Sequence, residues 1–109
     1  MSAPEVGSTV YEMLVGLHVI DDNVYQDYRE KMTPILIEYG GGFGYDFRIA
    51  DVLKSHTDNE INRVFTIYFS DKKAMQRFFS AESYRAIKTQ FFESSVASTT
   101  VIAEYTRET

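Results

Sequence analysis

The chain has 109 residues, 44% of them hydrophobic and 15% aromatic, and a net charge of −5, which together indicate one globular domain with a substantial core. The acidic balance and the scattered basic residues exclude a nucleic-acid footprint, and the absence of cysteine excludes disulfides, thiolate metal sites and a cysteine nucleophile. No segment approaches the roughly 18 apolar residues of a membrane helix, and the N-terminus lacks the pattern of a signal peptide. We therefore expect a soluble cytoplasmic protein that binds neither membranes nor nucleic acid.

The N-terminal part of the sequence predicts a tail, a strand and a helix. Residues 1–9 are expected to form a flexible tail, and residues 10–20 alternate between a wholly apolar side and a mixed side, as in a strand. From Val24 to Glu38 the apolar period becomes 3.6, which predicts a helix capped by one of residues 21–23. Because a proline removes a backbone donor, we expect a kink or a break at Pro34.

The rest of the chain repeats the same order of elements. The glycines of Gly40–Gly42 are expected to end the first helix. A second helix is predicted after a cap at Ser70 or Asp71, with a new start at Ser80. The remaining strands are predicted at 43–53, 61–69 and 99–105, inside a single domain at 10–106 with a C-terminal tail at 107–109.

This order, β-α-β-β-α-β, predicts an α+β protein with the ferredoxin-like, or split βαβ, topology. We expect a four-stranded, antiparallel-containing sheet with both helices on one face. The first and third strands are predicted to be central and parallel to each other.

Two helices can cover only one face of such a sheet, so the composition of the other face is informative. Alternation assigns these side chains to the open face: Leu14, Gly16, His18, Ile20, Asp46, Arg48, Ala50, Val64, Thr66, Tyr68, Thr100, Ile102 and Glu104. This set is too apolar for water and too polar for an ordinary core. We therefore expect a symmetric homodimer whose two sheets pack together around a polar cavity that holds a small-molecule ligand.

Several segments resemble a known family. They are Met13-Leu14-Val15-Gly16-Leu17, Tyr25-Gln26-Asp27-Tyr28-Arg29, Met32-Thr33-Pro34-Ile35, Tyr39-Gly40-Gly41, Phe78-Phe79-Ser80-Ala81-Glu82-Ser83-Tyr84 and Val101-Ile102-Ala103-Glu104. In these segments the chain resembles the DUF1330 family of the dimeric α+β barrel superfamily, over roughly Tyr11–Tyr105. The resemblance implies the ferredoxin-like fold and a dimer in which the sheets form an α+β barrel, but no settled activity.

Two residues of the predicted open face are candidates for catalysis. His18 is a candidate general base, because imidazole titrates near neutral pH. Tyr68 is a candidate donor of a hydrogen bond to a bound carbonyl or phenolate. Each also has a purely structural interpretation, as a hydrogen-bonded interior histidine and an interface tyrosine.

Four further residues of the same face are candidates for substrate binding: Asp46, Arg48, Thr66 and Glu104. The charged ones have an alternative interpretation as ion pairs in the dimer interface. No cofactor and no metal are expected, since the sequence has neither metal-ligand spacing nor a dinucleotide fingerprint.

Two functions remain open from the sequence. The first is a cofactor-independent enzyme, of the monooxygenase or isomerase type, that acts on a small and largely apolar organic molecule. The alternative is a non-catalytic dimeric module that binds small molecules or serves in a stress response. A cavity beside His18, with Tyr68 within hydrogen-bonding reach, would favour the enzyme.

Overall fold

A four-stranded sheet forms the base of the structure, a computed structural model that describes residues 8–109. The strands lie in the order β2-β3-β1-β4. Their bounds are β1 (Thr9–Val19), β2 (Gly42–Arg48), β3 (Arg63–Phe69) and β4 (Val96–Glu108). The predicted ferredoxin-like α+β fold is confirmed.

All neighbouring strands are antiparallel, so the prediction of a parallel β1–β3 pair is wrong. Because the first helix connects them, β2 runs in the same direction as β1. The two strands are not neighbours, since β3 lies between them. The intervening β3 reverses direction after β2 and therefore runs antiparallel to both neighbours.

Both ends of the domain are strand residues that pair with each other. Thr9 pairs with Glu108, so β4 continues past residue 106, where the sequence analysis ends the domain. Of the tail predicted at 1–9, residues 1–7 lie outside the described part of the chain.

The first helix, α1 (Asp22–Glu38), begins where the sequence predicts. The Asp21 carboxylate accepts a hydrogen bond from the backbone N–H of Val24 at 3.1 Å, so Asp21 is the N-cap. The helix continues through Pro34 without a break. The hydroxyl of Thr33, the residue before Pro34, donates a hydrogen bond to the carbonyl of Arg29 one turn earlier in the helix.

The second helical layer follows β3. It consists of α2 (Lys72–Ser80), α3 (Glu82–Ile87), a π-helical turn (Lys88–Phe92) and the short turn α4 (Glu93–Ser95). Asp71 caps α2 through the N–H of Ala74 at 2.7 Å, as predicted. Ser80 does not cap α3. Its hydroxyl donates back to the carbonyl of Gln76, and the extended residue Ala81 separates the two helices.

These helices cover one face of the sheet, here called the helix side, and the main core lies between the two layers. Its fully buried members come from both layers and include Leu17, Tyr25, Met32, Leu36, Phe69 and Phe78. The opposite face of the sheet, the open side, is not covered by any helix of residues 8–109.

Irregular pairing in β2 changes which side chains point to each face. Phe43 pairs with Ile67, but Asp46 pairs with Phe65, so β2 carries one extra residue between Phe43 and Asp46. This β-bulge reverses the alternation from that point. Asp46 therefore lies on the helix side, while Tyr45 and Phe47 stack on each other, largely exposed, on the open side. The prediction that Asp46 and Arg48 lie on the open face is therefore wrong.

A second irregularity in β4 has the same effect. Leu14 pairs with Ala103 but Val15 with Val101, so Ile102 is the extra residue. Thr100 lies on the open side as predicted, opposite Gly16. Glu104 pairs with Met13 and lies on the helix side, contrary to the prediction.

The C-terminus of α1 depends on one glycine. Gly40 has a φ of 79°, and the N–H of Gly41 donates to the carbonyl of Leu36 at 2.9 Å, which together form a Schellman motif. A Cβ at Gly40 would also approach the Ser70 hydroxyl to 3.3 Å.

We expect Gly40→Ala to lower the free energy of unfolding by about 1–2 kcal/mol, because alanine has no comparable freedom in the left-handed region. Urea denaturation measures this loss. Gly40→Asn is the matched control, since asparagine tolerates this conformation better, and it should lose less. Equal losses in the two variants would contradict the explanation from backbone conformation.

Candidate functional site

A partly enclosed cavity of about 270 Å³ lies between the helices and the sheet. Its sheet wall is formed by Met13, Val15, Leu17, Phe65, Ile67 and Val101. Its helix wall is formed by Tyr25, Tyr28, Met32, Phe79, Tyr84 and Phe92. The volume is close to the lower end of the roughly 300–1,000 Å³ of ligand pockets, and the walls are largely apolar, as in such pockets.

At one end of the cavity, an arginine and an aspartate from different elements meet. Arg29 of α1 lines the cavity, and its Nη2 lies 3.3 Å from a carboxylate oxygen of Asp46 on β2. Asp46 also accepts two hydrogen bonds of 2.8 Å from Arg63 of β3. Burial raises the pKa of Asp46, but its hydrogen bonds and the charges of Arg63 and Arg29 outweigh that effect and hold the pKa below the usual value.

The Arg29 guanidinium is held among aromatic rings. It lies 3.9 Å from the ring centre of Phe43 and 4.9 Å from that of Phe65, and its Nε donates to the Tyr25 hydroxyl at 2.7 Å. Its side chain is only 11% exposed. Nη2 is buried and has no hydrogen-bond partner within residues 8–109. Nη2 therefore contacts the Asp46 carboxylate as an ion pair at 3.3 Å, without a well-aligned hydrogen bond.

A pair of tyrosine hydroxyls forms a second polar group in the wall. The hydroxyls of Tyr28 and Tyr84 are 2.8 Å apart. Desolvation raises the pKa of Tyr28 and of Tyr84, so both remain neutral near pH 7. One hydroxyl hydrogen bridges the pair, which leaves the other free to donate to an acceptor in the cavity.

The mouth of the cavity is partly formed by the π-helical turn. Lys88 and Phe92 both line the cavity, and the Phe92 ring packs 5.0 Å from the ring of Tyr28. Lys88 is exposed. π-helical turns often occur at functional sites, which agrees with this position.

The two predicted catalytic residues do not lie at this cavity and do not meet. His18 Nε2 is 3.0 Å from the Glu60 carboxylate near the far end of β1. Tyr68 pairs across the sheet with Glu12 and packs its hydroxyl over Gly42. Tyr68 lies beside Glu12, and His18 is six positions further along β1. This offset corresponds to about 20 Å along a strand. Within one chain, therefore, these side chains do not converge on one ligand, and their catalytic roles stay predictions.

The predicted binding residues are also dispersed over both faces. Glu104 accepts a 2.6 Å hydrogen bond from Tyr11 on the helix side, and its interaction raises the pKa of Tyr11 to about 12. Arg48 pairs with Arg63, also on the helix side. Thr66 is buried on the open side, where its hydroxyl accepts from the N–H of Tyr45 at 2.8 Å. Among residues 8–109, Asp46 is the member of the predicted set whose side chain forms an ion pair with a residue of the cavity wall, and the binding roles stay predictions.

Arg29 is not among the predicted site residues, because in the sequence it falls among charged neighbours of the helix. The signal that could have found it is its position four residues after Tyr25, on the edge of the apolar stripe. The burial of the charged residue Glu12 was also not predicted from the sequence. It is 5% exposed on the open side and accepts hydrogen bonds from the Tyr105 hydroxyl at 2.6 Å and from Arg107 at 3.1 Å.

Residues 8–109 show neither a cluster of metal-ligating side chains nor a helix suited to crossing a membrane. Residues 8–109 contain no group of three or more His, Asp or Glu placed to hold a metal ion. None of the helices in the same range has the length and apolar character needed to cross a bilayer.

Comparisons with solved structures agree with the observed fold. A protein of unknown function from Rhodopseudomonas palustris is 13% identical with a TM-score of 0.68, and the match covers 94% of this chain and 83% of that one. A dimeric protein of unknown function and ferredoxin-like fold from Bacteroides fragilis is 9% identical with a TM-score of 0.51, covering 92% and 96%. SnoaB, a cofactor-independent oxygenase from Streptomyces nogalater, is also 9% identical with a TM-score of 0.51, covering 93% and 91%.

At these identities the likeness concerns the fold alone, which defines a ferredoxin-like α+β protein. The family model of a domain of unknown function, DUF1330, matches residues 9–105. The chain therefore belongs to the DUF1330 family, as the sequence motifs predict. A comparison with curated proteins finds no match.

The tyrosine pair allows a direct test of the cavity wall. We expect Tyr28→Phe or Tyr84→Phe alone to lower the free energy of unfolding by about 1–3 kcal/mol, because each leaves the other hydroxyl buried without its partner. The double variant should lose less free energy of unfolding than the two single variants lose together, since neither hydroxyl is left without a partner. Urea denaturation of the four proteins measures the coupling. Strictly additive losses would show that the hydroxyls do not interact.

Proposed function

We propose that this protein binds a small, largely apolar organic molecule in the cavity between its helices and its sheet. The observation that carries the proposal is the cavity itself: it is partly enclosed, holds about 270 Å³ and is lined mostly by aromatic and aliphatic side chains, with Arg29 among the few polar ones. A ligand that fills the cavity buries its apolar surface against these walls.

A cofactor-independent enzyme acting on the bound molecule is the second candidate. The donors of Arg29 and of the Tyr28–Tyr84 pair favour it, because buried donors stabilise an oxygen on which negative charge develops. Among residues 8–109, neither a carboxylate nor an imidazole lines the cavity, so the wall offers no obvious base. Binding is therefore the function that the geometry supports better.

The test of binding is a ligand-observed NMR screen of small aromatic probes such as indole, with a variant that narrows the cavity. Thr99 is exposed at the cavity and pairs with Leu17. We expect Thr99→Phe to weaken probe binding at least several-fold without unfolding the protein, because the added ring occupies the entrance.

Thr106→Phe is the matched control, since Thr106 is exposed on the same strand and the same side but does not line the cavity. It should bind the probes like the unmodified protein. Probes that bind equally to both variants would contradict the assignment of the cavity. Native mass spectrometry of protein purified from its own cells complements the screen, because a retained natural ligand appears as added mass.

We also propose that the protein is a cytoplasmic homodimer whose open sheet sides pack on each other. The open side carries the exposed pair Tyr45 and Phe47, at 66% and 51%, beside the half-buried Val64 and Leu14. Apolar surface of this kind is costly in water, and a second copy of the same face covers it. The dimeric state of the similar Bacteroides fragilis protein supports this arrangement.

Val64→Asp tests the dimer. Val64 lies on the open side, paired with Gly16 and Phe47. We expect the new carboxylate to shift the protein to monomer in light scattering, because burying an unpaired charge in an interface is costly. Gln76→Asp, on the exposed surface of α2, is the control and should stay dimeric. A Val64→Asp protein that remains dimeric would show that the open side is not the interface.

A further inference from the structure

The charges beside the cavity do not balance. Arg29 and Arg63 contribute two positive charges and contact one carboxylate, that of Asp46, which leaves one positive charge over. Asp22 also attracts Arg63, but it is exposed at the start of α1, where water screens its charge. Lys88 adds a second cation at the cavity mouth.

The geometry around Arg29 restricts how its remaining donors can be used. The Phe43 ring, 3.9 Å from the guanidinium carbon, covers the face of the group, and Tyr25 accepts from Nε. Of the terminal nitrogens, Nη2 faces the Asp46 carboxylate at 3.3 Å, so the donor that remains for a ligand is Nη1, which lies in the guanidinium plane. A carboxylate matches such an edge because it is planar and accepts in the same plane.

The other polar groups of the wall also donate. The Tyr28–Tyr84 pair has one hydroxyl hydrogen without an acceptor, and Lys88 is a donor only. Within residues 8–109, no side-chain carboxylate, imidazole or amide lines the cavity. The aromatic rings would suit an organic cation, but the two positive side chains oppose one.

From this arrangement we infer that the natural ligand is a small apolar monocarboxylate, whose carboxylate pairs with Arg29 while its apolar body fills the ring-lined cavity. The inference rests on the proposed function and names the chemical class of ligand for the same site. The excess positive charge of the Arg29–Asp46–Arg63 cluster matches an anion better than a neutral molecule.

The experiment compares benzoate with benzamide, which has nearly the same shape but no charge, by NMR titration at pH 7. We expect benzoate to bind about ten- to a hundredfold more tightly, the range that hydrogen bonds to a charged group provide. Arg29→Met should abolish this preference, and Lys88→Met should reduce it by a smaller factor because Lys88 is exposed. Arg85→Met, at an exposed arginine outside the cavity wall, is the control and should keep the full preference.

The outcomes distinguish a failure of the monocarboxylate inference from a failure of the proposed binding function. Benzamide binding as tightly as benzoate, or a preference that survives in a folded Arg29→Met, overturns the monocarboxylate while the binding function stands. If indole binds and benzoate does not, the monocarboxylate is likewise overturned while the binding function stands. If none of the three probes binds, both proposals fail. Should Arg29→Met not fold, the comparison of benzoate with benzamide in the unmodified protein still decides the question.

Discussion

The extra residue in β2 is the local feature on which the site depends. At the bulge, the N–H of Tyr45 leaves the strand ladder and donates to the buried Thr66 hydroxyl. A Cβ on Gly44 would lie 2.6 Å from that hydroxyl oxygen, so a side chain here would displace the Thr66 hydroxyl from this position. The bulge then turns Asp46 toward the helices, where its carboxylate holds Arg29 and Arg63 together.

The cluster around Asp46 explains how a charged group is tolerated beside an apolar cavity. A largely buried guanidinium is costly to desolvate unless it is paired and hydrogen-bonded. Here a carboxylate, a phenol and two aromatic rings offset much of that cost for Arg29. The compensation leaves one terminal nitrogen without a hydrogen bond. A structural role of Arg29 is therefore compatible with the proposed role in ligand binding.

The two faces of the sheet have separate roles in this proposal. The helix side encloses the cavity, and the open side carries the surface that a second copy would cover. The buried Glu12, paired with Tyr105 and Arg107, lies on the open side, away from the cavity. Substitutions on one face can consequently be tested without altering the other, which separates ligand binding from assembly.

The sequence alone determined the order of the elements, the family and the short segments, 21–23 and 70–71, in which the two helix caps lie, because capping and hydrophobic periodicity act over a few residues. The tertiary structure decided which face Asp46 and Glu104 occupy. One unpaired residue in a strand reverses every later side chain, and this slip depends on the partner strand's pairing. It also decided that Arg29, on a helix face that looks polar, lies against Phe43 and Phe65, since contacts between distant segments follow from packing and not from local periodicity.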